Sequence, residues 1–377
     1  MTDWGRAAAV AAEFAELTEA DGAVVRQVVD QLVADGVMKL WVPARYGGGE
    51  AHLQVGLDAM AVIAHGCGSA GWAVMIANTT GLLASRLSRP AGELLFGDSQ
   101  AICGGFAPPV GTAIIGATTA RVTGQWPWGS GSSHATTMGG GVRYVDGAGT
   151  PVELANKSRT GFAFFHGGVE LLDTWDVAGM QGTASTDYRV DDVEIPLDHI
   201  VPLDQRVLEI DAPLYRFSVF GALALGVSMV MVGLGERAVE ELAKLAEKVP
   251  QGSGRGLGER ATAQVELARA DASLRAARAL VTDVVGTAWD DVVATGRVSD
   301  ANRIALRLAA NHAAESSVAA VGRCYKTAGG AAVYKRSPLQ RVFRDVHVAA
   351  QHAMVSERIY EPIGRHRFGL DTDLRPL

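Results

Sequence analysis

The sequence is poor in several things, and each shortage removes a class of function. Only three cysteines occur in 377 residues, Cys67, Cys103 and Cys324, far apart and forming no CxxC pair. That excludes a disulfide scaffold and a cysteine zinc site, and it fits a reducing, cytoplasmic setting. There is no basic excess: the formal charge is −7. A chain that neutralises phosphates needs the opposite balance, so neither nucleic acid nor an acidic membrane surface is expected as a partner. The most apolar stretch, Phe220 to Leu234, is shorter than the roughly 20 residues of a membrane span. The first segment carries Asp3, Glu13 and Glu16 where a secretory signal needs an uninterrupted apolar run. No HExxH or carboxylate–histidine cluster is present, so no metal is expected. No GxGxxG follows a strand: the nearest match, Gly252 to Gly258, joins two helical segments.

What is present divides the chain into three textures. The first, residues 1–100, reads as helical. Val24, Val25, Val28, Val29, Leu32 and Val33 recur at helical spacing with Gly36 as a stop, and further helices are expected over Leu57–Ala64 and Ala70–Leu87. The second, residues 101–205, has many glycines and short apolar runs. Strands are expected at Thr112–Ile115, Ala120–Trp126, Gly141–Val145, Gly161–Phe165 and Tyr188–Ile195, with a hairpin turn at Asp146-Gly147. Short strands at this spacing predict a β-barrel or sandwich rather than βαβ units. The third, residues 206–377, contains four long Ala-, Leu- and Arg-rich segments, Tyr215–Val249, Glu259–Thr295, Ser299–Thr327 and Pro338–Arg365. Short joints between them predict an antiparallel four-helix bundle. The fold class is therefore α+β, in the order helices, β-domain, bundle.

Four motifs fall on this frame in a telling order. They are Trp41-Val42-Pro43-Ala44-Arg45-Tyr46-Gly47-Gly48; Gly104-Gly105-Phe106-Ala107-Pro108-Pro109 with Gly124-Gln125-Trp126-Pro127-Trp128-Gly129-Ser130-Gly131; Asp173-Thr174-Trp175-Asp176 through Gly182-Thr183-Ala184-Ser185; and Ala328-Gly329-Gly330 with Pro338-Leu339-Gln340-Arg341-Val342-Phe343-Arg344-Asp345. Together they resemble the acyl-CoA dehydrogenase superfamily. The second is similar to the oxygenase components of two-component flavin monooxygenases. The resemblance spans about residues 40–365.

The resemblance implies a reduced flavin, FMN or FAD, as cofactor and molecular oxygen as co-substrate. It implies a separate NAD(P)H-flavin reductase as partner, which fits the missing dinucleotide motif, and a homotetramer. The reaction would be hydroxylation or N-oxidation of a small aromatic or polycyclic molecule through a flavin C4a-hydroperoxide. By resemblance Ser130 faces flavin N5 and His352 reaches flavin and substrate, so these two are the candidate catalytic residues. Phe106, Ala107, Trp126, Trp128, Ser130 and Gly131 are candidates to hold the ring, with Arg255 at the phosphate end and Gly329-Gly330 contacting the cofactor of a neighbouring subunit. Read from the residues alone, Trp126 to Gly131 is equally a strand-end turn with two core tryptophans, and His352 an interhelical histidine.

Two absences bear on the chemistry. Dehydrogenases of the superfamily carry a catalytic glutamate a little after the Arg-Asp pair. That position falls here at about Ala353, with Glu357 and Glu361 one to two turns further. Aromatic hydroxylases of the branch often carry a histidine beyond a Gly-Trp pair, and after Gly71-Trp72 none follows. Asn78, Thr80 and His134 are the polar candidates for the substrate pocket. Two other readings stay open at this point: an FAD-dependent dehydrogenase or desaturase, and a non-catalytic scaffold of the same fold.

Overall fold

The structure is a computed structural model and describes residues 4–203, 208–247 and 256–374. Six α-helices come first: α1 (Gly5–Glu13), α2 (Ala15–Asp21), α3 (Arg26–Ala34), α4 (Leu53–Gly66), α5 (Gly68–Gly81) and α6 (Arg89–Phe96). Helix α3 ends as its spacing predicts, with Gly36 in the left-handed region. Helix α5 is shorter than expected, because residues Leu82–Arg86 tighten into a 3₁₀ turn. Nearly every residue of α5 is buried, polar ones included, since it runs between other elements on all sides.

Seven strands follow: β1 (Cys103–Ile115), β2 (Thr119–Trp126), β3 (Thr137–Val145), β4 (Thr160–Phe165), β5 (Glu170–Leu172), β6 (Asp187–Pro196) and β7 (Ile200–Pro202). They form one sheet in the order β5-β6-β2-β1-β3-β4-β7. All neighbours pair antiparallel except β1 and β3, which run parallel. The Asp146-Gly147 turn is not the two-residue hairpin expected. Asp146 Oδ1 accepts from the backbone of Ala148 and Thr150, folding a local loop at the end of β3, and the chain reaches β4 only fourteen residues later. The short strands β5 and β7 lie at the sheet edges and carry too little pattern to be read from sequence.

The remaining helices are α7 (Val219–Ala246), α8 (Ala261–Thr295), α9 (Asp300–Ala328), α10 (Pro338–Ala349) and α11 (Tyr360–Arg367). Helix α7 is the hub, packed against α4, α5, α8, α9 and α10. By length and composition it could cross a bilayer, but its apolar residues face protein. Leu225, Val227, Met229, Val230, Met231, Val232 and Leu234 are all at most 1% exposed. Each such side chain contributes about 1.5–3 kcal/mol of burial. One core thus runs through the first helices and the bundle, while a separate core fills the sheet around Trp126, Phe165 and Tyr188.

The segment Pro338–Arg365, expected as one helix, is two. Pro362 has no N–H for a carbonyl one turn back and is tolerated only in a first turn, so the second helix starts anew at Tyr360. Between the two lies a bent stretch with His352 and Ser356 as side-chain caps.

Helix α10 is fastened to both other regions. The Asp345 carboxylate accepts from the Met180 backbone N–H. Arg344 donates to the Ala178 carbonyl at 2.7 Å and pairs with Glu19. Gly179 makes this possible: a Cβ there would lie 2.5 Å from the carbonyl carbon of Arg344.

Candidate active site

A cavity of about 390 Å³ lies where α5, β1, the loop after β2, the start of α7 and the stretch after α10 meet. Its walls are mainly apolar and aromatic, with Trp72, Phe106, Trp128, Phe162, Trp175 and Phe220 among them. Ser130 and His352, 222 positions apart in sequence, both line it. A single side chain joins them. The Trp72 indole N–H donates to Ser130 Oγ at 3.1 Å, and the same ring meets the His352 imidazole edge-on at 5.6 Å between centroids.

Ser130 sits in a tight loop after β2. Trp128 takes a positive φ of 57° there, and Gly131 one of 75°. For a tryptophan this costs on the order of 1–3 kcal/mol. The loop is held by the Gly131 N–H donating to Thr183 O at 2.8 Å. Ser130 Oγ lies 2.6 Å from Ser185 Oγ, which lies 2.7 Å from Thr183 Oγ1. Thr183 in turn donates to the Met180 carbonyl at 2.8 Å. A carbonyl can only accept, and this fixes the direction of the chain. Thr183 gives its proton to Met180, Ser185 to Thr183 and Ser130 to Ser185. Ser130 therefore turns a lone pair, not a proton, toward the cavity.

The His352 ring is likewise oriented. The Met354 backbone N–H donates to His352 Nδ1 at 3.2 Å. Burial lowers the imidazole from its ordinary 6.5 to about 4, and the nearby Arg307 cation adds to this. A neutral ring whose Nδ1 accepts must carry its proton on Nε2. His352 is thus a hydrogen-bond donor at neutral pH rather than a base.

Several sequence candidates lie elsewhere. Trp126 is fully buried in the sheet core, its indole N–H donating to Gly141 O at 2.9 Å and its ring stacked on Tyr188, because strand alternation points it away from the cavity. Asn78 is fully buried as well. Its Oδ1 accepts from Trp41 N at 2.9 Å and its Nδ2 donates to Val37 O and Val74 O, so it bolts the turn after α3 to α5 and does not reach the cavity. His134 is packed behind Gly131 with its Nε2 buried and unpartnered, and is not a lining residue. Gly131 shapes the loop but does not line the cavity either. Gly329-Gly330 stands exposed at the end of α9, away from the cavity of its own chain. Arg255 lies outside the described residues. Phe106, Ala107, Trp128 and Thr80 do line the cavity, and Trp128 is 60% exposed at its mouth, edge-on to Phe106. Sequence reasoning missed Trp72, Thr183 and Ser185. All three stood inside quoted motifs, but nothing local shows that their hydrogen bonds converge on Ser130.

Two buried imidazoles give a pH dependence of stability. Burial lowers His134 to about 4, like His352. The unfolded chain, titrating near 6.5, takes up these protons first. Their contribution is complete above about pH 6.5 and is lost as pH falls toward about 4. Burial also lowers His52 and His199, with the same sign. Asp345 opposes them: burial raises it to about 6, so its contribution is complete below its ordinary 3.8 and lost as pH rises through about 6. The histidines prevail, and urea unfolding is expected to become easier by on the order of 2 kcal/mol between pH 7 and pH 4.5. An unchanged midpoint would mean that the imidazoles are hydrated.

Known proteins resemble this chain over most of its length. Residues 225–357 match the family described as acyl-CoA dehydrogenase, C-terminal domain. Indole-3-acetate monooxygenase of Pseudomonas putida is 29% identical over 351 residues, covering 92% of this chain and 87% of the relative. Residues 225–357 are thus similar to acyl-CoA dehydrogenases, and most of the chain is similar to a monooxygenase. Its relatives lie on the flavin-dependent monooxygenase branch. One is the oxygenase subunit HsaA of Rhodococcus jostii, 27% identical with 89% of each chain covered. The structure of XiaF from Streptomyces sp. in complex with FADH2 and glycerol superposes with a TM-score of 0.86, at 26% identity, over 98% of this chain and 93% of that one. In this chain the cavity lies where helices, sheet and bundle meet.

Proposed function

We propose that the chain is the oxygenase of a two-component flavin monooxygenase of the cytoplasm, acting on a small aromatic or polycyclic substrate. Reduced FMN or FAD would come from a separate NAD(P)H-flavin reductase. The observation that carries this reading is the Ser130–Trp72–His352 constellation in one apolar cavity.

The residues fit the cofactor. The cavity falls within the range of small-molecule sites, about 300–1,000 Å³, and its walls are flat and aromatic on several sides. The inward lone pair of Ser130 suits a ring nitrogen that carries a proton, as N5 of a reduced flavin does. Bound there, the reduced flavin supplies the electrons that activate oxygen.

The chain's own residues do the rest. Ser130 accepts a hydrogen bond at the reactive edge of the ring. His352 donates from Nε2 to an oxygen of the reacting centre or of the substrate. Trp72 holds both in register, and the aromatic walls exclude water, which strengthens those bonds. Among the described residues no carboxylate lines the cavity, and Ala353 stands where a dehydrogenase would carry its base. Gly329-Gly330, remote from the cavity of its own chain, would meet a flavin only across a subunit contact, so the reading includes a homotetramer.

The deciding experiment is rapid mixing of the protein, reduced flavin and ¹⁸O₂ with a panel of aromatic compounds. One labelled oxygen atom in the product supports the proposal. A protein that purifies yellow and reduces its flavin with substrate is a dehydrogenase, and one that binds flavin in neither redox state is a scaffold.

A further inference from the structure

A second cavity, of about 350 Å³, shares the wall formed by Val219 and Phe220 with the first. Its lining differs in kind. Arg86, Arg216, Arg303 and Arg307 all line it, and among the described residues no carboxylate does. Arg86 donates to the Pro202 carbonyl at 2.6 Å, Arg216 donates to the Gly296 carbonyl at 2.6 Å and pairs with Asp211, and Arg303 pairs with Asp300 at 3.1 Å.

Arg307 stands apart from these. It is 4% exposed, its Nε has no hydrogen-bond partner, and its Nη1 meets the Met354 sulfur at 4.0 Å. It forms no ion pair among the described residues. A guanidinium remains charged at any working pH, and withdrawing one from water without a counter-charge is strongly unfavourable. The first turn of α7, from Val219 to Ala222, also lines this cavity and adds the positive end of a 28-residue helix.

We propose that this second cavity is an oxyanion site, taking a carboxylate or phosphate group. The group is best supplied by the anionic end of the aromatic substrate, reaching past Phe220 from the first cavity. Met354, which touches Arg307, also lines the first cavity, so the two sites are separated by single side chains. The substrate assignment rests on the monooxygenase reading, whereas the anion site itself does not.

The test uses the full chain without flavin or oxygen, so a negative result leaves the oxygenation experiment untouched. Thermal unfolding is followed while titrating 2-naphthoate, its neutral methyl ester, inorganic phosphate, or sodium chloride at matched ionic strength. The acid is expected to raise Tm at concentrations about tenfold or more below those at which the ester acts, and Arg307→Met to weaken the acid's effect by about tenfold or more. Phosphate acting as well as naphthoate would support the anion site and assign it to a free anion. Sodium chloride matching both, or Arg307→Met responding like the wild type, overturns the proposal. Should Arg307→Met fail to fold, Arg307→Lys is expected to respond at an intermediate level, and the acid–ester contrast in the wild type decides alone.

Discussion

Replacing His352 by alanine is expected to leave reduced-flavin binding close to wild type while cutting product formation by about 100-fold or more, with the consumed oxygen released as peroxide. The magnitude is that of one positioned proton donor in a closed site. The direction follows from the hydrogen bond between Met354 N–H and His352 Nδ1, which leaves Nε2–H as the group facing the cavity. His352→Gln keeps an N–H donor on a comparable stem and is expected to restore part of the product yield. A donor that is neutral down to about pH 4 also predicts a flat coupling yield from pH 6 to pH 8. A base of ordinary pKa would instead titrate near 6.5. Single-turnover product analysis beside a peroxide assay measures both quantities. Unchanged coupling in the alanine variant would remove His352 from the mechanism.

Replacing Trp126 by alanine is expected to have an equally large effect of another kind. The indole is fully buried, stacked on Tyr188 at 5.4 Å and hydrogen-bonded to Gly141. Its loss empties the centre of the sheet core and should cost about 3–5 kcal/mol. Denaturant unfolding followed by fluorescence gives the number. Flavin affinity of the fraction that remains folded should stay near wild type, because Trp126 does not line the cavity. A variant of normal stability that no longer binds flavin would return Trp126 to the cofactor site.

These two residues also mark how far the sequence could be read. The order of helices, sheet and bundle was legible because each texture is local: helical spacing around Val28, glycine-rich strands after Cys103, and long alanine-rich segments after Pro213. The meeting of Ser130 and His352 in one cavity followed from motifs in the right order. Trp126 and Trp128 could not be told apart, since residues two apart share a face in a continuous strand, and the sequence does not show that β2 ends at Trp126 and that Trp128 turns out through a positive φ. Asn78 looked like a pocket residue for a similar reason. A buried polar side chain on an apolar helix either faces a ligand or bolts down distant backbone, and its partners at Val37 and Trp41 lie about forty positions away. The bend that carries His352 was hidden because Ala349 to Ala353 has helix-forming composition, and only Pro362 interrupts it. The arginine cavity was invisible from sequence, as its four cations come from positions 86, 216, 303 and 307.

The fastening of α10 has a consequence for how such a site can change. Asp345 and Arg344 grip the backbone at Met180 and Ala178, a few residues before Thr183 and Ser185, and a few residues after them the chain delivers His352. The hydroxyl relay and the imidazole therefore hang from one rivet, and the spacing between them is set outside the cavity. Phe220, Leu223, Ile76 and Thr80 hang from α7 and α5 instead. Variation there can reshape the chamber for a new guest without disturbing the distance at which the chemistry takes place. The fold thus separates an adjustable wall from a fixed one, and selection for new substrates is expected to accumulate on the adjustable side.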